Sequence, residues 1–254
     1  MTQNLASDEF IIETTNLTKV YKEGKIKAVD NLNLKIAKGE IYALIGANGS
    51  GKTTTINMMI GSLYPTSGSI NVLGLPIPEK RRVAAGQIGV APQEYALYSD
   101  LSVEQNIWFF AKLYNIKRDA FEKRLEELLP ILNLNERRKT TVYNLSGGMK
   151  RRVSIACALM HEPKIVFFDE ATVGIDPVLR AFFWEYFRSL AQAGLTIVLT
   201  SHVMDEAERA DRIGLMRAGK LIEEGTPDEI RRRHSAASIE EVFIKLSAGE
   251  TVDE

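Results

Sequence analysis

Residues 41–61 restrict the possible folds more than any other stretch of the chain. Residues 41–45, Ile-Tyr-Ala-Leu-Ile, form an apolar run with the length and composition of a buried strand. Gly46, Gly49 and Gly51 follow and bend the chain tightly, and the pattern over 53–60 predicts a helix. A strand that enters a glycine-rich turn and leaves it as a helix exposes backbone N–H groups at the positive end of the helix dipole. In that context the spacing Gly46-x-x-x-x-Gly51-Lys52-Thr53 reads as a phosphate cradle and not as a solvated loop. Its expected chemistry places Lys52 on the β- and γ-phosphates of a nucleotide and the Thr53 hydroxyl on Mg²⁺.

The bulk properties exclude several alternatives. A chain of 254 residues is long enough for one large domain or two small ones, and 45% hydrophobic with 26% charged residues is ordinary for a soluble globular protein. A net charge of −1 carries no electrostatic footprint for nucleic acid. The local run Arg231, Arg232, Arg233 and His234 reads as a solvated helix end. Cys157 is the single cysteine, so no internal disulfide forms, and in an apolar helix it reads as a small buried hydrophobe. Residues 1–9 lack the basic and apolar regions of a signal peptide. No apolar run approaches the roughly 18 residues that span a bilayer. A cytoplasmic location is expected, unless a partner holds the chain at a membrane.

Taken in order, residues 1–9 are polar and expected to be loose. Residues 10–20 and 27–36 alternate apolar with polar and predict antiparallel strands around the turn Lys22, Glu23, Gly24, Lys25. Tyr21, at the edge of that turn, either stacks on a purine face or simply packs. Further turns are expected at 38–40 and 64–68, and short strands at 69–75 and 87–91. From 101 to 160 the pattern becomes helical. Ser102 and Gln105 form a capping-box pair, the spacing of Phe121, Leu125, Leu128, Leu129 and Leu132 predicts a second amphipathic helix, and a third runs from Ser146 to about Met160. The pattern then returns to α/β. Residues 165–168 read as a central parallel strand, and Asp176-Pro177 opens a helix that Gly194 closes. A buried strand at 195–200, a short helix at 203–210, strands at 213–216 and 220–223, and two terminal helices opened by Thr226-Pro227 and Ser238 follow.

Asp169 and Glu170 stand directly after the apolar run 165–168. At the carboxyl end of a parallel strand they lie beside a phosphate loop. Asp169 suits Mg²⁺, and Glu170 suits orienting and deprotonating a water. Ser146 caps a helix whose first residues, Gly147 and Gly148, leave N–H groups open, which describes a second anion site. A single ATP has one γ-phosphate, and Lys52 already holds it.

These motifs together resemble the ATP-binding-cassette ATPases. The resemblance covers about 11–245 and rests on Gly46-Ala47-Asn48-Gly49-Ser50-Gly51-Lys52-Thr53, Leu145-Ser146-Gly147-Gly148-Met149, the run ending Asp169-Glu170, Gln93 after a strand, Gly174-Ile175-Asp176-Pro177, and His202. It implies a P-loop NTPase fold, α/β, with a RecA-like core, an N-terminal antiparallel β lobe and a helical lobe inserted at about 92–160, between flexible ends at 1–10 and 246–254. It also implies head-to-tail pairing of two cassettes, which resolves the matter of the second anion site. On this resemblance ATP contacts come from Tyr21 (adenine), Gly46, Ala47, Asn48, Gly49, Ser50, Gly51, Lys52, Thr53 and Thr54. Metal contacts come from Thr53, Gln93 and Asp169, and the catalytic set is Glu170, His202 and Gln93. Leu145, Ser146, Gly147, Gly148 and Met149 would serve the ATP of a second chain, with Asp176 at the seam. Ala171 replaces the family's usual proline and Ile175 its usual leucine; neither change removes a polar group. The implied activity is ATP hydrolysis that drives a transporter, with membrane-spanning permease subunits and a second cassette as partners and no nucleic acid. Residues 95–104 and 238–246 resemble the bacterial export-type branch, with the chain held on the inner face of the membrane through its partners.

Overall fold

The computed structural model of the chain describes residues 9–21, 24–170 and 175–248. Residues 1–8 and 249–254, Lys22 and Glu23 of the first expected turn, and Ala171 and Gly174 lie outside the described residues. Two long strands, β1 (Phe10–Tyr21) and β2 (Ile26–Ala37), pair antiparallel as their alternation predicts. Their register shifts between Thr14 and Lys19, where Asn16 (φ 50°) and Asn31 (φ 54°) adopt left-handed backbone that asparagine tolerates. β3 (Ile41–Ile45) is fully buried and delivers the chain to α1 (Lys52–Met59). β4 (Ser67–Val72) and β5 (Leu75–Ile77) extend the first sheet to the order β2-β1-β4-β5.

Here the structure departs from the single strand expected at 69–75. Leu73 (φ 58°) and Gly74 (φ 74°) both turn left-handed and reverse the chain in a two-residue hairpin. Leu-Gly lacks the Asn or Asp that flags such a turn. A short helix α2 (Arg81–Ala85), unforeseen in the sequence, precedes β6 (Ile88–Ala91).

From β6 the chain runs through α3 (Val103–Leu113), α4 (Arg118–Ile131) and α5 (Gly147–Leu159). Ser102 and Gln105 form the expected capping box. Ile107, Ala111, Phe121, Leu125 and Leu128 are fully buried, and α3 and α4 also share an ion-pair network of Glu104, Glu122, Arg118 and Arg138. β7 (Ile165–Asp169), α6 (Pro177–Gln192) and β8 (Thr196–Ser201) restore the α/β pattern. Then come α7 (Met204–Ala207), β9 (Arg212–Arg217), β10 (Lys220–Gly225), α8 (Pro227–Arg233) and α9 (Ile239–Ala248). α7 is a single turn, shorter than the expected 203–210.

The second sheet has the order β10-β9-β3-β8-β7-β6; β9, β3, β8, β7 and β6 run parallel and β10 is antiparallel to β9. Strand alternation divides its side chains between two cores. Tyr42, Leu44, Ile165, Phe167 and Val198 face the antiparallel sheet and α1. Ile41, Ala43, Ile45, Val166, Phe168, Ile197 and Leu199 face the helices, including α3 to α6. Burial on both faces explains why β3, β7 and β8 read as continuous apolar runs. The carboxyl ends of β3, β7, β8 and β6 meet along one edge, where ligands bind in open α/β sheets.

Candidate active site

The loop between β3 and α1 is shaped by contacts that admit no side chain. A Cβ on Gly46 would lie 2.2 Å from the Met216 carbonyl oxygen, and one on Gly51 (φ 107°) 2.3 Å from that of Ala28. The loop is tied to the sheet by Gly46 N donating to Ser201 O (3.2 Å) and Gly219 N donating to Ser50 O (3.0 Å). Gly51 is the N-cap of α1 and supplies no capping side chain, and no acid lies in the first turn. The first N–H groups of α1 thus remain available to an anion.

Lys52 is 4% exposed, and its Nζ donates to Gly46 O (2.7 Å) and Ala47 O (3.0 Å). Burial lowers its pKa, and the nearby carboxylates of Glu170 and Asp169 act in the opposite direction. Thr53 Oγ1 donates to Asp169 Oδ1 at 3.2 Å, which brings two hard oxygen donors side by side. Among the described residues no cluster of three or more His, Cys, Asp or Glu forms a protein cage for a metal. That donor set fits Mg²⁺, which is commonly held by one or two carboxylates together with phosphate oxygens.

Glu170 follows β7 with a left-handed backbone (φ 52°), a conformation of the strained kind that collects at functional sites. Its N–H donates to Thr200 Oγ1 (3.1 Å) and Thr200 O (3.2 Å), which hold it there. Its carboxylate accepts from Gln93 Nε2 at 3.1 Å and lies 3.3 Å from His202 Nδ1. Thr200, which the sequence reading overlooked, also donates to Asp169 Oδ1 at 2.5 Å, so one hydroxyl orders both acids. The signal it leaves in the sequence is a polar residue directly after the apolar run 197–199.

An open cleft of about 330 Å³ is lined by Asn48, Gly49, Gly51, Lys52, Thr53, Thr54, Gln93 and Glu170, with Ala28 of β2 as an unforeseen member. Asp169 and His202 reach it through the contacts above. Tyr21 ends β1 with Lys19 Nζ 5.3 Å from its ring centroid, and it is not among the lining residues.

The other expected anion site lies elsewhere. Ser146 caps α5 by accepting from Met149 N at 3.3 Å. Ser146 and Gly147 are exposed, Gly148 and Met149 half-buried, and Leu145 buried. None of residues 145–149 lines the cleft, so the fold does not bring them to the phosphate loop of their own chain. Asp176 is exposed and caps α6, accepting from Leu179 N at 2.9 Å; Ile175 behind it is buried.

Comparison with known proteins places these features in a family. The model of the ABC transporter family matches residues 29–173. The chain is 40% identical over 243 residues to a probable multidrug ABC transporter ATP-binding protein of Escherichia coli, covering 94% of this chain and 42% of that one. It is 40% identical over 224 residues to the linearmycin resistance ATP-binding protein of Bacillus subtilis, covering 88% of this chain and 71% of that one. The chain spans less than half the length of the first curated relatives it matches. Among solved structures, an ATP-binding cassette captured as a dimer in a post-hydrolysis state with ADP and Pi superposes with a TM-score of 0.77 at 28% identity, covering 85% of this chain and 98% of that one.

Proposed function

The chain belongs to the ABC transporter family, as an ATPase cassette, and from that premise we propose that it hydrolyses ATP to drive export through membrane-spanning permease subunits. The observation that carries this reading is the convergence of Lys52, Thr53, Asp169, Glu170 and Gln93 on one cleft at the carboxyl ends of parallel strands. The phosphate-loop residues Gly46 to Thr54, through the N–H groups the loop leaves open and the Lys52 ammonium, bind the β- and γ-phosphates, and Tyr21 receives the adenine. Thr53, Asp169 and Gln93 hold Mg²⁺, which when bound neutralises charge on the β- and γ-oxygens. Gln93 and Glu170 orient a water in line with the γ-phosphorus. Glu170 accepts its proton as the new P–O bond forms, and the bond to the bridging oxygen breaks with its electrons leaving on ADP. His202, held against Glu170, contacts the γ-phosphate. Phosphate-loop donors stabilise the charge that develops.

The signature residues Leu145, Ser146, Gly147, Gly148 and Met149 serve the ATP of a second cassette, with Asp176 at the seam, so ATP draws two chains together and hydrolysis releases them. The dimeric post-hydrolysis cassette supports this arrangement. The names of relatives in multidrug export and linearmycin resistance support an exporter. No helix of the described residues is long and apolar enough to cross a membrane. On the proposed function the cassette is cytoplasmic and reaches the inner face of the membrane through its permease partners. Phosphate release from ATP-Mg²⁺ tests the enzymatic part: wild type should turn over and Glu170→Gln should not, whereas equal rates would refute it.

A further inference from the structure

The backbone that carries Gln93 is gripped from α5. Arg151, in the second turn of that helix, is 4% exposed. Its Nη1 donates to Pro92 O at 2.7 Å and its Nη2 to Gln93 O at 2.9 Å. The same guanidinium lies 4.9 Å from the centroid of the Tyr95 ring. Tyr95 Oη in turn donates to the carbonyl oxygen of Gly147, the first residue of α5, at 3.1 Å. A continuous set of contacts therefore runs from Glu170 through the Gln93 side chain and main chain to Arg151, Tyr95 and the start of the signature helix.

The arrangement has a cost. Burying a guanidinium is unfavourable unless its N–H groups are paired, and Arg151 Nε is buried with no hydrogen-bond partner among the described residues. An apolar side chain at this position would pack without that cost, but it would leave two loop carbonyls beyond the end of β6 without these donors. The planar fork of arginine reaches both carbonyls at once, which a lysine ammonium does not reproduce.

We propose that Arg151 and Tyr95 are positioning residues that anchor the Gln93 segment to the first turns of α5 and so hold the Gln93 amide at Glu170. This rests on the functional reading above, in which Gln93 serves hydrolysis in this chain and α5 serves the ATP of a second chain.

Tyr95→Phe is the informative variant. It removes the hydroxyl and keeps the ring beside Arg151, at a position 41% exposed where the fold tolerates the change. In the full chain with ATP-Mg²⁺, kcat should fall about 2–10-fold, the worth of one neutral hydrogen bond. The nucleotide affinity of the monomer should stay at the wild-type value, because the hydroxyl touches no group that lines this chain's own cleft. Arg151→Lys, which loses the fork, should lower kcat by about 10-fold or more. Both losses should shrink to less than about twofold when Gln93→Ala is already present, because the segment then carries no amide to place. Wild-type kcat in both variants, or losses that multiply in full with Gln93→Ala, would overturn the proposal while leaving the functional reading intact. A wild-type rate equal to that of Glu170→Gln would overturn both.

Discussion

The amino ends of α1 and α5 are both helix N-termini opened by glycine, and both are expected to face phosphate, yet the fold treats them differently. At α1 no side chain caps the helix, Lys52 is buried against the loop, and Asp169 and Glu170 stand across the cleft, ordered by Thr200, Gln93 and His202. At α5 the Ser146 hydroxyl caps the helix, and Ser146 and Gly147 are exposed and do not line the cleft. A helix N-terminus alone binds anions weakly; the surrounding charges and donors make it a site. The α1 end has those surroundings within one chain. On the proposed function, the α5 end obtains them from the nucleotide of a second chain.

The contrast can be broken by removing chemistry from the α1 end alone. The largest effect should come from Glu170→Gln, which preserves shape and nucleotide binding but lowers turnover by about 10²–10⁴-fold, the worth of a general base; phosphate release measures it. Next is Lys52→Ala. Losing a charge-assisted contact should weaken ATP affinity by about 10–100-fold, unlike the Glu170 change, and titration with a fluorescent ATP analogue separates the two. Thr200→Val should follow, with kcat down about 5–20-fold at nearly unchanged KM, because the hydroxyl orders both acids without lining the cleft. The smallest effect lies in the helices between β6 and β7. The Arg138 hydrogen bond, against a smaller opposing effect of burial, holds the Glu104 carboxyl below its ordinary 4.5, with Arg118 assisting. A lowered carboxylate pKa stabilises the fold above the unfolded-state value, and this contribution is lost as pH falls through the folded value. The melting-temperature difference between wild type and Glu104→Gln should therefore be present at pH 7 and vanish in acid below that range.

How much of this was legible in the sequence depends on how local each feature is. The phosphate loop, the acids after β7 and the caps at Ser102, Ser146 and Asp176 are decided by residues within a few positions, and each could be read from its pattern. Thr200 was not legible, because its role arises only when β8 lies beside β7, a pairing across 31 positions. Arg151 carries no local signal in the sequence, and only the fold brings it under the loop after β6, 58 positions away. The Leu73–Gly74 reversal was missed because its first residue carries no turn signal. The sheet order was equally hidden, since apolar runs such as 41–45 and 165–168 announce burial but not neighbours.

The central claim, that the α5 end is completed only by the nucleotide of another chain, is tested most directly by sedimentation. Glu170→Gln traps bound ATP, and with ATP-Mg²⁺ it should sediment as a dimer while remaining monomeric without nucleotide. Adding Gly148→Asp puts bulk and a repelling charge at the half-buried start of α5, where a new Cβ meets only the flexible end of Leu179 at 3.3 Å, so the fold should survive. The account predicts that this double variant keeps its monomer ATP affinity and stays monomeric with ATP-Mg²⁺. A dimer that forms with ATP-Mg²⁺ despite Gly148→Asp would contradict it and leave the signature helix with a structural role only.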